Sequence, residues 1–332
     1  MQGHDIIVIG SSAGGVEALQ TLVQELSPHL PAALFIVQHI APDAPPLLAA
    51  ILDRKSKLPA LFPADNSPFQ PGHIYVAPPD HHLLLEGDHM RVLRGPRENR
   101  HRPAIDPLFR SAACSFGPRV VGVVLSGTLD DGTAGLWAVK SCGGKAVVQD
   151  PSDALFPCMP RNAMAHVEVD HCLPLVQIGG VLTELARTPV GKETGAVPDQ
   201  VSIETKAAML QSDIGDMRSI GKPTAFSCPA CHGALWELQE GIIRRFRCHV
   251  GHSYLPDSLV ADQSEQIGSA LFAALAAMQE KAAMLRRLAL QVGDALPKER
   301  QRYEELAAQE EEQAEVIKRL IFSGSQPAAG RR

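Results

Sequence analysis

The chain has 332 residues, of which 45% are hydrophobic and 20% charged, a composition typical of folded globular proteins. The 31 lysines and arginines are outnumbered by 37 aspartates and glutamates, and the net charge of −6 gives no support to nucleic-acid binding. No run approaches the roughly 20 apolar residues that span a bilayer, and the N-terminus lacks the segments of a signal peptide. The sequence therefore predicts a cytoplasmic protein without membrane insertion.

Four runs in the N-terminal half are apolar almost throughout, as are strands buried on both faces of a parallel sheet. They are Asp5–Ile9, Ala33–Gln38, Val120–Leu125 and Lys145–Gln149. Segments with helical spacing of apolar residues alternate with them, at Val16–Leu26, Pro45–Leu52, Asp106–Ser115 and Thr133–Cys142. This alternation predicts an α/β fold with a doubly wound, mostly parallel sheet. His82–Leu85 and Met90–Leu93 predict an antiparallel hairpin at the edge of that sheet.

The pattern divides the chain into four parts. The α/β domain is predicted over residues 4–186, and a linker, with one short helix at Glu204–Asp213, over 187–222. A compact Cys/His-rich module over 223–258 precedes a helical hairpin over 262–322, where the acidic run Glu310–Glu312 is interpreted as a solvated helix face. The last ten residues are predicted to be disordered.

Gly10-Ser11-Ser12-Ala13-Gly14 directly follows the first predicted strand and precedes a helix. This G-x-S-x-G spacing, in its strand–turn–helix context, is typical of a serine nucleophile whose neighbouring amides can hold an oxyanion. A serine that only caps the helix is an equally good interpretation of this motif alone. Phosphate binding is the weaker alternative, because Ser12 stands where the dinucleotide fingerprint needs its middle glycine.

A serine nucleophile needs a base and an acid at the same edge of the sheet. His39 ends the second predicted strand, and Asp131 lies in the polar loop after Val120–Leu125. Either residue alone has a structural interpretation, His39 as a strand-end residue and Asp131 as a helix cap. Together they supply Ser12, His39 and Asp131 in an order different from the Ser–Asp–His order of α/β-hydrolases.

These segments resemble the three signature segments of the chemotaxis protein-glutamate methylesterases. The matching residues are Ile9–Gly15, Gln38-His39, Ser126-Gly127 and Asp131-Gly132, with further matches at Val76–Pro78, Arg102-Pro103, Asp106 and Met159–Arg161. The resemblance covers roughly residues 4–185. It implies that Ser12 is the nucleophile, His39 the general base and Asp131 the orienting acid.

The resemblance also implies a reaction, the hydrolysis of γ-glutamyl methyl esters on the cytoplasmic helices of methylated chemoreceptors, with no cofactor for catalysis. Backbone amides near Ala13 and Thr128 are the candidates for the oxyanion hole, and deamidation of glutamines is open. Family members typically carry an N-terminal receiver domain, whereas this sequence enters its first strand near residue 5, so control by phosphorylation in cis is not expected. The alternative is an idle signalling adaptor that keeps the fold and acts through its C-terminal module.

Cys228, Cys231, Cys248 and His252 follow a C-x2-C-x16-C-x3-H pattern, which predicts a structural zinc site in a zinc-ribbon-like module. His249 is an alternative fourth ligand and His232 a less favoured one. Four protein ligands leave no open position, and a module this small needs help to fold. We expect the module and the helices to bind other signalling proteins. The remaining cysteines are interpreted as buried thiols.

Overall fold

The computed structural model of the protein describes residues 3–191, 196–240 and 243–324. Within these ranges the chain divides into two compact units, the first ending at Leu259 and the second beginning at Val260. In the described part of the chain, the helices are all too short or too polar to cross a membrane. The C-terminal segment that we predict to be disordered lies mostly outside the described residues.

The central sheet of the first unit has seven strands in the order β10-β9-β8-β1-β2-β5-β3, and each neighbouring pair is parallel. Its strands are β1 (Ile6–Ser11), β2 (Ala33–Gln38), β3 (Ala60–Leu61), β5 (Ile74–Val76), β8 (Val120–Val124), β9 (Lys145–Gln149) and β10 (His171–Leu173). A separate antiparallel sheet contains β4 (Ser67–Pro68), β6 (His82–Glu86) and β7 (His89–Leu93).

Helices lie between these strands along the chain, and further helices follow the last strand of the central sheet. They are α1 (Gly15–Glu25), α2 (Leu48–Asp53), α3 (Ile105–Phe116), α4 (Thr133–Ser141), α5 (Cys158–His166), α6 (Leu175–Arg187), α7 (Asp199–Ala208), α8 (Ile214–Ile220), α9 (Pro256–Val292) and α10 (Pro297–Gly324). Short 3₁₀ turns lie at Gly117–Arg119 and Gly293–Ala295.

Both faces of the central sheet are covered. Alternate residues of a strand point to opposite faces, so Ile7 and Ile9 of β1 pack in one core with α1 and α6, while Ile6 and Val8 pack in the other with α3 and α4. All six residues of β1 are buried. The predicted doubly wound, mostly parallel α/β fold is therefore confirmed.

Several details differ from the sequence-based expectation. The predicted hairpin exists as β6 and β7, but it pairs with β4 and not with the edge of the central sheet. The segment predicted as a linker with one helix contains both α7 and α8. Cys158 and Cys172, which we expected to be buried, are exposed. Short strands such as β3 and β5 cannot be predicted from the sequence, because they have too few residues to show a periodic pattern.

The Cys/His module is a four-stranded antiparallel sheet, made of β11 (Lys222–Ser227), β12 (Ala234–Glu240), β13 (Ile243–Cys248) and β14 (Ser253–Tyr254). It packs within the first unit through buried charges. Arg247 of β13 lies 2.8 Å from Glu98 and 2.9 Å from Glu204 of α7, Glu98 also pairs with Arg110 of α3, and Glu204 with Arg245. All five side chains are 0% exposed. This cluster joins the module to the α/β part of the unit.

We expect Glu204→Ala to lower the free energy of unfolding by about 3–5 kcal/mol, because it leaves the buried guanidinium groups of Arg245 and Arg247 without their shared carboxylate. Urea unfolding followed by circular dichroism measures this change. The matched control is Glu237→Ala, which breaks a solvent-exposed pair with Arg244 in the same module and should cost less than about 1 kcal/mol. Equal losses for the two variants would contradict the prediction.

The second unit is a helical hairpin formed by α10 and the part of α9 beyond Leu259. Small side chains are buried in both helices, including Ala282, Ala289, Ala307 and Ala314. Lys281 pairs with Glu310 at 2.6 Å and Arg286 with Glu311 at 2.8 Å. The predicted helical tail is confirmed, and two members of its acidic run join the helices as well as facing solvent.

Candidate active site

Three polar side chains follow the carboxyl ends of three adjacent strands. Ser12 comes directly after β1, His39 directly after β2, and Asp131 in the loop after β8. Strand β1 lies between the other two, with Ser11 in register with Gln38 and Gly10 with Val124. The sheet therefore brings all three predicted residues to the edge where open α/β sheets bind ligands.

Ser12, His39 and Asp131 form one hydrogen-bonded series. The Oγ atom of Ser12 lies 3.1 Å from Nδ1 of His39, and Nε2 of His39 lies 2.7 Å from Oδ2 of Asp131. The His39 side chain is 5% and the Asp131 side chain 2% exposed. This geometry fits a nucleophile, a general base and an orienting acid.

Asp131 is held by amide donors on both carboxylate oxygens. Oδ2 accepts the backbone N–H of Ile105 at 2.7 Å, and Oδ1 accepts from Gly132 at 3.1 Å and from the Asn99 side chain at 3.0 Å. Burial by itself raises the pKa of Asp131, but its hydrogen bond to His39 and the Ile105 amide hold that pKa below the usual range. Asp131 is therefore an ionised, oriented acceptor.

Asp106 is a second buried carboxyl beside Asp131, and sequence reasoning gave it no role in the site. Burial, together with the nearby charge of Asp131, raises the pKa of Asp106 well above its usual value. Its Oδ1 accepts the backbone N–H groups of Gly132 and Gly135, so it fixes the turn that carries Asp131 into α4.

Gln38 holds the turns that carry Ser12 and His39. Its Nε2 donates to the carbonyl oxygens of Ser12 at 2.8 Å and His39 at 2.9 Å, and its Oε1 accepts from the Ser11 hydroxyl at 2.7 Å. A Cβ atom on Gly15 would lie 2.1 Å from Oε1 of Gln38, so the first turn of α1 requires glycine there. A glutamine ending an otherwise apolar strand was the available signal for this role.

His101 stacks on the ring of His39, with ring centroids 3.7 Å apart and an interplanar angle of 9°. Burial is the main cause that lowers the pKa of His101 to about 4, and the proximity of His39 is the second. His101 is therefore neutral at pH 7 and covers one face of His39 without adding a charge. Its position in a loop, away from the strand ends, gave no signal in the sequence.

The candidate oxyanion donors are the amides of Ala13 and Thr128. Among the described residues, neither amide has a hydrogen-bond acceptor. Ser126 joins the two loops, because its carbonyl accepts the Ser12 N–H at 3.0 Å and its hydroxyl donates to the Ala13 carbonyl at 2.9 Å. A Cβ atom on Gly127 would lie 2.8 Å from the Cβ of Ser12, so only glycine allows this approach.

A cavity of about 430 Å³ opens beside Ser12 and His39. Its other lining residues comprise three apolar residues, three arginines and a histidine: Ile40, Ala41, Pro42, Arg97, Arg100, Arg102 and His101. Arg97 is exposed, whereas Arg102 pairs with Asp80 at 2.5 Å. The cavity therefore presents arginine side chains beside Ser12 and His39.

The four predicted metal ligands lie together in the Cys/His module. The Sγ atoms of Cys228, Cys231 and Cys248 and a ring nitrogen of His252 all lie within 4.8 Å of one another. Sγ of Cys231 is 3.7 Å from Sγ of Cys248, which is 3.6 Å from Nδ1 of His252. The alternative ligands His249 and His232 lie outside this group.

Comparison with known proteins adds independent evidence. The family model for CheB methylesterase matches residues 7–182. A putative protein-glutamate methylesterase/protein-glutamine glutaminase of Leptospira interrogans is 37% identical over 183 residues, covering 55% of this chain and 95% of that protein. The corresponding protein of Ralstonia nicotianae is 38% identical over 178 residues, covering 52% of this chain and 46% of that protein.

The solved CheB methylesterase catalytic domain of Thermotoga maritima has the same fold. It aligns with a TM-score of 0.54 at 32% identity, over 56% of this chain and 100% of that chain. This chain thus spans nearly the full length of the Leptospira relative but about half that of the Ralstonia one. The family match, the relatives and the shared fold together show that the chain belongs to the CheB methylesterase family.

Proposed function

We propose that this protein-glutamate methylesterase hydrolyses γ-glutamyl methyl esters on the cytoplasmic helices of chemoreceptors, with Ser12 as nucleophile. His39 acts as the general base and Asp131 as the orienting acid. The observation that carries the proposal is the hydrogen-bonded series of these three side chains beside an open cavity. The same series of hydrogen bonds favours a hydrolase over the alternative of an idle adaptor, because an adaptor would not need these three side chains to be aligned.

The reaction begins when Nδ1 of His39 takes the proton of the Ser12 hydroxyl and Oγ attacks the ester carbonyl carbon. The oxyanion of the tetrahedral intermediate lies near the amides of Ala13 and Thr128. The intermediate collapses as the C–O bond to the methoxy group breaks, and His39 returns the proton to methanol. Water then attacks the acyl-enzyme by the same route and releases free glutamate.

His39 presents Nδ1 to Ser12 and Nε2 to Asp131. In the commoner serine triad these nitrogens are exchanged, but the chemistry requires only that one accepts while the other donates to a carboxylate. Ionised Asp131 fixes the tautomer with the proton on Nε2, which leaves Nδ1 free to accept from Ser12.

The substrate class follows from the cavity and the relatives. The arginine-bearing rim favours glutamyl esters within acidic helix segments. A glutamine side chain reaches the same acyl-enzyme with ammonia as the leaving group. We include this deamidation in the proposal because the relatives carry both activities in their names.

Receptor membranes with methyl-labelled glutamates test the proposal. We expect the protein to release labelled methanol, and a fluorophosphonate to stop the release by attaching to Ser12, as peptide mass spectrometry will show. Receptors with free glutamates at the same sites serve as the substrate control. Attachment to another residue, or no methanol from receptors with the label in place, would contradict the proposal.

We also propose that Cys228, Cys231, Cys248 and His252 bind a structural zinc ion. Tetrahedral coordination with zinc–sulfur bonds of about 2.3 Å places sulfur atoms about 3.8 Å apart. The 3.7 Å between Cys231 and Cys248 fits that spacing. Four protein ligands close the coordination shell, so the ion would stabilise the module and take no part in hydrolysis.

Metal analysis of the purified, reduced protein should find one zinc ion per chain. Cys231→Ser should lose most of the zinc, because it removes one of the thiolates, and should melt at a lower temperature. Cys172→Ser, at an exposed cysteine outside the cluster, is the matched control. It should keep its zinc and the wild-type melting temperature. A zinc-free protein with an unchanged melting temperature would refute the site.

A further inference from the structure

We propose that Asn99 positions the catalytic acid and that residues 253–255 of the Cys/His module, which directly follow the metal-binding loop Cys248–His252, hold Asn99 in place. Esterase activity then depends on metal in the module, although the metal takes no part in the reaction. The inference rests on the proposed roles of Ser12, His39 and Asp131.

The side chain of Asn99 contacts Asp131, the proposed acid of the site, and the neighbouring Asp106. Its Nδ2 atom donates to Oδ1 of Asp131 at 3.0 Å and to Oδ2 of Asp106 at 3.0 Å. The residue is 2% exposed, so water does not readily replace these bonds. Both amide hydrogens of Asn99 are thereby used to fix the two neighbouring carboxyl groups.

The other polar groups of Asn99 bind the module. Its backbone N–H donates to the Ser253 carbonyl at 2.8 Å, and its Oδ1 accepts the Leu255 N–H at 3.2 Å. The Ser253 N–H donates in turn to the Arg97 carbonyl at 3.4 Å. Ser253 directly follows His252, so the residue that binds Asn99 is next to a proposed metal ligand.

The loop between the two ligands also packs against the segment that leads to Asn99. Gly251 has a φ of +113°, and a Cβ atom there would lie 2.6 Å from the Pro96 ring. Its carbonyl accepts from Arg247 at 2.8 Å, and Arg247 pairs with Glu98, the residue before Asn99. The loop and the residues that flank it, Arg247 and Ser253, therefore contact the 96–99 segment through packing, an ion pair and backbone hydrogen bonds.

Asn99 and Arg100 have φ angles of +48° and +73°, in the left-handed region that most residues avoid. Such a segment keeps its conformation when its surroundings fix it. Here the module supplies part of that surrounding structure. Loss of metal would release Cys248 and His252 from Cys228 and Cys231, loosen the contacts to Asn99, and deprive Asp131 of one of its donors.

Three variants and their control, each made in the whole chain and purified with zinc supplied, test this coupling. Asn99→Asp retains the acceptor for Leu255 and tolerates the left-handed backbone, but it turns a carboxylate toward Asp131 and Asp106. We expect kcat for methanol release to fall about 100-fold with KM nearly unchanged, because misplacing a catalytic group affects the chemical step. Asn99→Gly removes the side chain without backbone strain, and we expect kcat to fall about tenfold or more.

Cys231→Ser should lower kcat by about tenfold or more as it loses zinc, whereas Cys172→Ser should keep wild-type kcat. Removing zinc from the wild type with a chelator should have the same effect as Cys231→Ser, and adding zinc should restore activity. The rate of Ser12 modification by a fluorophosphonate should change in parallel. Melting temperature shows whether each protein is folded.

Folded zinc-free protein with wild-type kcat would overturn the inference, as would Asn99→Gly with wild-type kcat. If the zinc-free protein unfolds, Asn99→Asp decides: a folded, zinc-loaded variant with reduced kcat supports the inference, and one with full kcat overturns it. A wild-type protein whose Ser12 is not modified would instead refute the proposed function, so the two failures are distinguishable.

Discussion

Ser12→Ala is expected to lower kcat for methanol release by about 10⁴- to 10⁶-fold, the range seen when a serine nucleophile is removed. Alanine lacks the Oγ atom that lies 3.1 Å from His39 and that would form the acyl-enzyme. The fold should be unaffected, since the substitution only removes one oxygen at the cavity wall. Methanol release from methyl-labelled receptors, with melting temperature measured alongside, tests this expectation.

Ser11→Ala is the matched control within the same turn. The Ser11 hydroxyl donates to Oε1 of Gln38 and makes no bond to His39, so its loss should slow the reaction by less than about tenfold. A large loss for Ser11→Ala together with an active Ser12→Ala would reassign the nucleophile.

Asp131→Asn is expected to lower kcat by about 10⁴-fold, because an amide in this position favours the wrong tautomer of the histidine base. The two oxygens of Asp131 accept from Ile105, Gly132 and Asn99 as well as from His39. An asparagine NH₂ group would therefore face another donor whichever way it turned. Single-turnover methanol release at pH 7 measures the effect.

Asp130→Asn is the control for Asp131→Asn. Asp130 precedes the acid in the same loop, and its side chain has no contact with His39 in the described structure. Activity within a few-fold of wild type is expected. Comparable losses for the two variants would show that the loop as a whole, and not the Asp131 carboxylate, supports the reaction.

The sequence was sufficient to predict where Ser12, His39 and Asp131 lie, because each follows an apolar run that forms a buried strand. Parallel strands bring such ends together at one edge without any knowledge of the loops. Asn99 and His101 could not be found in this way. They lie in an irregular segment, and the contacts that give them a role come from distant parts of the chain.

The Cys/His module shows the same difference between local and distant information. A local spacing predicts its candidate ligands, with His249 and His232 as alternatives to His252, and the structure places Cys228, Cys231, Cys248 and His252 together. The packing of the module cannot be predicted from local spacing. In the sequence, Arg245 and Arg247 resemble solvated strand residues, and their partners Glu204 and Glu98 come from distant segments. The helix that carries Glu204 was accordingly predicted as part of a linker.

The central position of β1 has a consequence for synthesis of the protein. Of the two strands that pair with β1, β2 is synthesised soon after it, but β8 begins only at Val120. Until then a strand whose six residues are all buried in the finished fold presents unpaired backbone groups. Such an edge promotes association between chains. We therefore expect the nascent N-terminal segment, more than the finished enzyme, to need protection by a chaperone.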